Sequence, residues 1–232
     1  MKNELQKRIV TSIFLISLIS LCLYIGHPLI LILFFIVSYI AYNEFTKLLD
    51  AVYGLSSGIN FLRSSLTLFY CFFIFWISTT GLATDYFYDF VFVLSICIFS
   101  DIGGFIVGKS IKGPKLTKIS PNKTISGSIG SVLFSLIPLV ILNYCLPDTF
   151  LLSKSNLLFC IEISVVCQLG DLFISFFKRK AKVKDTGKIL PGHGGLLDRI
   201  DGIIFALPYA GFKLYGLDIW NSLSLIISYL TR

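Results

Sequence analysis

Long apolar runs separated by short polar segments dominate the pattern of hydrophobic and polar positions along this chain. A helix needs about 20 mostly apolar residues to cross a bilayer, so such runs predict transmembrane helices. Period-2 alternation is weak, which disfavours strands. The pattern therefore predicts an all-α, polytopic transmembrane helical bundle of about seven to eight spans. The predicted spans are 9–25, 28–42, 61–80, 87–107, 128–146, 157–177, 203–215 and, as a span or an interfacial helix, 220–230.

The first apolar run follows Lys7 and Arg8, as the apolar run of a signal peptide would. No small-x-small cleavage site follows it, and the next run begins almost at once, so we expect a retained first span. We divide the chain into amino-terminal transmembrane helices, 1–85, and a carboxyl-terminal transmembrane catalytic region, 86–232.

Basic residues cluster in alternate loops between the predicted spans. If the amino terminus is cytoplasmic, all but three of the 20 basic residues lie in cytoplasmic segments, as the positive-inside rule requires. The exceptions are Lys154, Lys213 and Arg232. The sequence thus predicts a multi-pass protein of the cell (inner) membrane with a cytoplasmic amino terminus.

Composition supports a membrane protein, because 55% of the 232 residues are hydrophobic and only 14% are charged. The mean hydropathy is +0.84, far above that of a soluble domain. The formal net charge of +7 is explained by cytoplasmic loops, so we expect no nucleic-acid partner. The six cysteines form no CxxC pair, which predicts free thiols rather than disulfides or a zinc site.

Four acidic residues lie within or beside apolar runs, where a carboxylate costs several kcal/mol and therefore indicates a functional site. They are Asp101, Asp171, Asp198 and Asp201. We expect Asp171, Asp198 and Asp201 to converge at the cytoplasmic edge, where mutual repulsion requires a cation. Oxygen-only ligands favour a hard ion such as Mg²⁺.

The run containing Asp171 carries a polar stripe at helical spacing. Its members are Ser164, Cys167, Gln168, Asp171, Ser175 and Lys178. For Ser164 and Gln168 we favour interhelical hydrogen bonding over chemistry. For Asp171 we favour a functional role, because an amide or hydroxyl would join helices at lower cost.

Lysines in the two most basic loops supply the opposite charge. For Lys123 and Lys178 we favour phosphate binding, whereas topology alone explains Lys112 and Lys182. The turn of Gly192, His193, Gly194 and Gly195 is flexible and rich in N–H donors that can approach a phosphate. Magnesium, carboxylates and lysines together favour phosphoryl or nucleotidyl transfer.

Two motifs resemble known sites without their context. Residues 103–110 match the G-x-x-x-x-G-K-[ST] phosphate loop, but they continue an apolar span instead of joining a strand to a helix. We interpret Gly104 and Gly108 as a close helix-packing face. Asp185-Thr186-Gly187 resembles an aspartic-protease triplet, yet the chain has one copy and a proton-sharing dyad needs two.

The carboxyl-terminal third reads as one continuous signature, S-F-F-K-R from Ser175, K-D-T-G from Lys184, L-P-G-H-G-G from Leu190 and L-D-R-I-D from Leu197. It resembles the signature of the phosphatidate cytidylyltransferases. The segment I-S-P-N-K-T from Ile119 and the pair Ser100-Asp101 also resemble that family. The amino-terminal spans match only in hydrophobicity, together with an acidic residue, Glu44, after the second span.

The resemblance implies that CTP and phosphatidate give CDP-diacylglycerol and pyrophosphate, with Mg²⁺ as cofactor and commonly a homodimer. It implies that Asp171 and Asp198 bind the metal and that Asp201, Ser175, Lys178 and Lys123 surround the phosphates. These are the expected catalytic residues. The expected substrate-binding residues are Asp101, Ser120, Asn122, Arg179, Lys184, Asp185, Gly192, His193, Gly194, Gly195 and Arg199.

Two other functions use similar residues. A CTP-dependent kinase of a lipid alcohol needs the same charges and a base beside the hydroxyl. A cation or proton transporter would have its acids near mid-span, whereas most of these acids lie near predicted membrane edges.

Overall fold

The computed structural model describes residues 2–25, 27–54, 87–147, 150–192 and 194–214, and the regular elements of these ranges are helices. This confirms the all-α class for the described part of the chain. The predicted spans 61–80 and 220–230 lie outside the described residues. The helices are α1 (Lys2–Ile25), α2 (His27–Tyr53), α3 (Phe87–Ile111), α4 (Ile125–Phe134), α5 (Ile137–Cys145), α6 (Lys154–Lys180), α7 (Leu197–Ile200) and α8 (Ile203–Leu214).

Among the described residues, three helical segments are long and apolar enough to cross a membrane, which confirms the prediction of a membrane protein. They are Tyr88–Ile111, Ile125–Cys145 and Lys154–Lys180. The spans predicted at 9–25 and 28–42, and residues 203–214 of the span predicted at 203–215, are also helical, within α1, α2 and α8. Whether these three cross the bilayer stays a prediction.

The second spanning segment is interrupted by a turn between α4 and α5. Pro138 stands in the first turn of α5, where its missing N–H and its ring disrupt the hydrogen bonding of the preceding turn. The Leu136 N–H donates to the Leu133 carbonyl at 3.4 Å, a tighter turn than in an α-helix. One apolar run in the sequence therefore forms two short helices.

Small residues bring α3 and α4 into close contact. A Cβ on Gly103 would lie 2.5 Å from the Gly130 carbonyl oxygen, and one on Gly108 would lie 3.3 Å from the Gly127 Cα. The backbones approach because side chains are absent there, as in small-residue packing of membrane helices. This confirms the interpretation of Gly104 and Gly108 as a packing face, and α3 runs unbroken through the phosphate-loop look-alike.

Two apolar clusters hold the described helices together. The larger one joins α3, α5, α6 and α8, with Ile96, Leu139 and Ile163 fully buried. The smaller one joins Ala41 of α2 to Ile174 of α6 and Leu197 of α7. The second cluster positions α2 beside the carboxyl-terminal end of α6.

Candidate active site

The polar residues of α6 that precede Asp171 form hydrogen bonds to neighbouring helices. Ser164 shares a 2.8 Å hydrogen bond with Ser100 of α3, and Ser128 of α4 donates to Gln168 at 2.5 Å. These contacts confirm the expected interhelical role of Ser164 and Gln168. Asp171 lies beyond them in α6, where Ser175 donates to its carboxylate at 3.2 Å.

The loop of residues 112–124, here called the middle loop, directs Lys123 toward Asp171. The Leu116 N–H donates to the Lys123 carbonyl at 2.8 Å, and the Lys123 N–H donates to the Ser120 carbonyl at 3.1 Å. Thr124 then caps α4 by accepting from the Gly127 N–H. Lys123 forms an ion pair with Asp171, with the side chains 27% and 30% exposed.

A second ion pair joins the end of α6 to the short helix α7. Lys178 donates to Asp198 at 2.8 Å, and the side chains are only 15% and 9% exposed. The other oxygen of Asp198 accepts from the N–H groups of Thr186 at 2.8 Å and Gly195 at 3.1 Å. Burial alone would raise the pKa of Asp198, but the Lys178 hydrogen bond and the backbone donors outweigh it and lower that pKa.

Asp201 lies beside Asp171. Gly170 permits this approach, since a Cβ there would lie 2.7 Å from the Asp201 carbonyl oxygen. Burial and then the Asp171 charge raise the pKa of Asp201 to about 8, while Lys178 partly opposes them. A divalent ion between two adjacent carboxyl groups would favour the ionised form of both, and their oxygen donors suit a hard ion.

Asp198 does not join this pair. Among the residues that the structure describes, no group of three or more His, Cys, Asp or Glu side chains has the spacing of a metal site. The expected convergence of Asp171, Asp198 and Asp201 on one ion is therefore not found there. The reason is that Lys178 and two backbone N–H groups already satisfy the Asp198 carboxylate.

The segment 184–196, here called the strap, lies in sequence between Lys178 and Asp198, the two residues of the second ion pair. Leu190 and Gly194 exchange backbone hydrogen bonds, and Gly192 and Gly194 adopt φ values of +76° and +88°, which favour glycine. The Asp185 side chain packs against Gly194. His193 lies outside the described residues.

The remaining predicted substrate-binding residues differ in exposure. Asp101 is exposed on α3, near enough to Asp171 and Lys123 for their charges to interact. Ser120 is half-buried in the middle loop. The other members are exposed side chains: Asn122, Arg179, Lys184, Asp185 and Arg199.

Glu44 is the residue that the candidate set omits. Its side chain is 3% exposed and accepts hydrogen bonds from Thr186, Leu196 and Leu197 of the strap and α7. The sequence signal was an acidic residue directly after the second predicted span, in a helix that also carries Asp50. That signal identifies an unusual residue, but not its partners about 150 positions away.

The described helices and ion pairs define a membrane protein with lysine–carboxylate pairs at the end of apolar helices. The cytidylyltransferase family model matches residues 56–215. The chain therefore belongs to the cytidylyltransferase family.

Curated relatives agree with this assignment. The chain is 40% identical over 138 residues to a phosphatidate cytidylyltransferase of Helicobacter pylori (strain J99), covering 59% of this chain and 51% of the relative. It is 42% identical over 139 residues to that of Rickettsia typhi, covering 54% and 59%. It is 41% identical over 131 residues to that of Bacillus subtilis, covering 54% and 47%. The chain thus spans about half the length of the curated relatives it matches.

Proposed function

We propose that the chain transfers a cytidylyl group in phospholipid biosynthesis, converting CTP and phosphatidate to CDP-diacylglycerol and pyrophosphate. The family and the names of the relatives support these substrates. The observation that carries the proposal is the juxtaposition of the Lys123–Asp171 pair with Asp201, beside the Lys178–Asp198 pair. This cluster lies where apolar helices end, so a lipid phosphate and a soluble nucleotide can both reach it.

The proposed step is a direct displacement. A phosphate oxygen of phosphatidate bonds to the α-phosphorus of CTP, and the bond from that phosphorus to the β-phosphate oxygen breaks, which releases pyrophosphate. No protein nucleophile is needed, because the attacking phosphate is already an anion. Lys123 and Lys178 stabilise the charge that develops on the departing pyrophosphate. Positioning of the two substrates supplies the rest of the acceleration.

Mg²⁺ is the proposed cofactor. Asp171 is the ligand expected from the family resemblance that best fits the geometry, and its neighbour Asp201 provides further oxygens. Asp198 is the second expected ligand, but its existing hydrogen bonds favour Asp201 as the partner of Asp171. When bound, the ion would neutralise charge on the reacting phosphates.

The remaining parts of the proposal concern the membrane and the assembly. We propose seven to eight spans in the inner membrane, with the amino terminus and the site facing the cytoplasm, and a homodimer. The sorting of basic residues into alternate loops supports this orientation. The middle loop and the strap, with Ser120, Asn122, Lys184 and Asp185 on them, would surround the nucleotide.

The test uses the purified full chain in detergent micelles containing phosphatidate. With CTP labelled at the α-phosphorus and Mg²⁺, we expect the label to appear in lipid and to be lost when the metal is chelated. A lipid kinase would instead move a γ-label to a lipid alcohol. A transporter would show ion flux in liposomes without nucleotide. Failure of the α-label to enter lipid would overturn the proposal.

A further inference from the structure

The buried carboxylate of Glu44, on α2, accepts hydrogen bonds from the strap and from the start of α7. The two oxygens of Glu44 accept from the Thr186 hydroxyl at 3.2 Å, the Leu196 N–H at 3.2 Å and the Leu197 N–H at 2.8 Å. Three donors on residues 142 to 153 positions away in sequence converge on this one side chain. The contact therefore fixes the strap to the amino-terminal half of the chain.

Burial makes this contact specific for a carboxylate. A buried carboxylate is tolerated only when hydrogen bonds compensate for lost hydration, and both oxygens of Glu44 receive them. A glutamine has one acceptor oxygen, and its NH₂ group would face an N–H or O–H donor. Glu44→Gln, which keeps the size and shape of the side chain, thus disrupts these hydrogen bonds without creating a cavity.

Two strap glycines make room for this carboxylate. A Cβ on Gly187 would lie 2.8 Å from the Glu44 Cδ, and one on Gly195 would lie 2.7 Å from its Oε2. Neither glycine has a positive φ among the backbone angles described, so conformation does not explain them. Space for Glu44 does, and this steric observation is independent of the hydrogen bonds.

The strap also contacts the candidate active site. Thr186 donates its hydroxyl to Glu44 and its N–H to Asp198, which in turn pairs with Lys178. At the other end of the strap, the Thr11 hydroxyl of α1 donates to the Pro191 carbonyl at 2.9 Å. Thr186 therefore links the conformation of the strap to the Lys178–Asp198 pair.

We infer that Glu44 is a positioning residue, which holds the strap in the conformation that completes the Lys178–Asp198 part of the site. It acts through Thr186 and the backbone of Leu196 and Leu197, not by touching substrate. The kinetic part of this inference rests on the proposed function, whereas the conformational part does not.

The first measurement is limited trypsin digestion of the purified full chain in detergent. Lys184 and Lys188 are exposed on the strap, and Lys112, Lys115 and Lys118 are exposed on the middle loop as an internal reference. We expect Glu44→Gln to accelerate strap cleavage about tenfold relative to the middle loop, as for loss of a charge-assisted hydrogen bond in local opening. Asp50→Asn, which removes a carboxylate farther along α2, should leave the ratio unchanged.

The second measurement is steady-state kinetics on the same variants. Because the strap carries the proposed nucleotide-binding side chains, Glu44→Gln should raise KM for CTP about fivefold or more, whereas a folding defect would lower kcat alone. If the wild-type chain transfers no cytidylyl group, the proposed function fails while the digestion still tests the strap. An unchanged cleavage ratio in Glu44→Gln overturns the inference. Should that variant not fold, Thr186→Val, which removes one of the three bonds, decides by the same ratio.

Discussion

Two lysine–carboxylate pairs lie near each other, but they differ in exposure and in what surrounds the acid. The Lys178 and Asp198 side chains are 15% and 9% exposed, and the Asp198 carboxylate also accepts hydrogen bonds from two backbone N–H groups. Lys123 and Asp171 are 27% and 30% exposed, and Asp171 has a second carboxylate, Asp201, beside it. The first pair is saturated with donors, whereas the second has a further carboxyl group beside it.

This difference indicates that one pair mainly stabilises the structure, whereas the other is available for substrates and a metal ion. A saturated, buried pair holds its elements in place and exchanges partners reluctantly. A partly exposed pair with a further carboxyl group beside it can release its lysine to a phosphate and accept a cation, which would favour ionisation of that group. We therefore assign the metal and the reacting phosphates chiefly to the Asp171 side, with Lys178 held in position by Asp198.

The largest effect should follow loss of the open carboxylate. Asp171→Asn should lower the cytidylyl-transfer rate by about 100- to 1,000-fold, the cost of removing a preorganised electrostatic group. Initial rates with α-labelled CTP measure it. The matched control is Glu162→Gln, which removes another lysine-paired carboxylate from α6, near Lys213 and far from the cluster. Near-normal turnover in Asp171→Asn would refute its assignment.

The next largest effect is a difference between the two pairs in the free energy of unfolding lost when the lysine is replaced. Lys178→Met leaves Asp198 buried and short of one donor, which should cost about 2–4 kcal/mol, between the values for exposed and fully buried pairs. Lys123→Met should cost about 0–1 kcal/mol, because water reaches Asp171. Heating in detergent followed by size-exclusion chromatography ranks the two variants. Equal losses would show that the pairs do not differ as their exposure indicates.

Local features of the sequence predicted much of this arrangement. Small residues at helical spacing predicted a close packing face on α3, which α4 contacts, and the polar stripe predicted interhelical hydrogen bonds of Ser164 and Gln168. Spacing within one helix determines which residues share a face, so such features are readable from a single chain. The number of spans and the division at residue 85 stay predictions.

Features that depend on distant segments were not predictable in the same way. Asp198 and Asp201 are three residues apart, which suggested one shared ion, yet Asp198 turns to Lys178 and the strap while Asp201 turns to Asp171. Glu44 meets its partners only after the chain folds α2 against α6 and α7. No periodicity encodes either contact, because each depends on which donors tertiary packing brings nearby.

The smallest predicted effect distinguishes the acids by pH. The folded pKa of Asp201, about 8, lies above its ordinary value of 3.8, so the folded chain binds a proton that the unfolded chain has lost. Stability should therefore fall as pH rises from 5 to 8 without divalent ions. Asp198 has the opposite shift, and its contribution is lost only as pH falls through its lowered pKa, outside that window.

Apparent melting temperatures across pH 5 to 8 in chelator measure this slope, and Asp201→Asn should flatten it by several degrees. The charges facing Asp201 are Asp171 and Lys178, and both remain in that variant. The chain's two histidines are common to both proteins, so any contribution that they make cancels in the comparison. Mg²⁺ should also flatten the wild-type slope, because a cation favours ionised carboxylates. A slope that persists in Asp201→Asn would place the proton elsewhere and remove the reason for pairing Asp201 with Asp171 as the ion-binding acids.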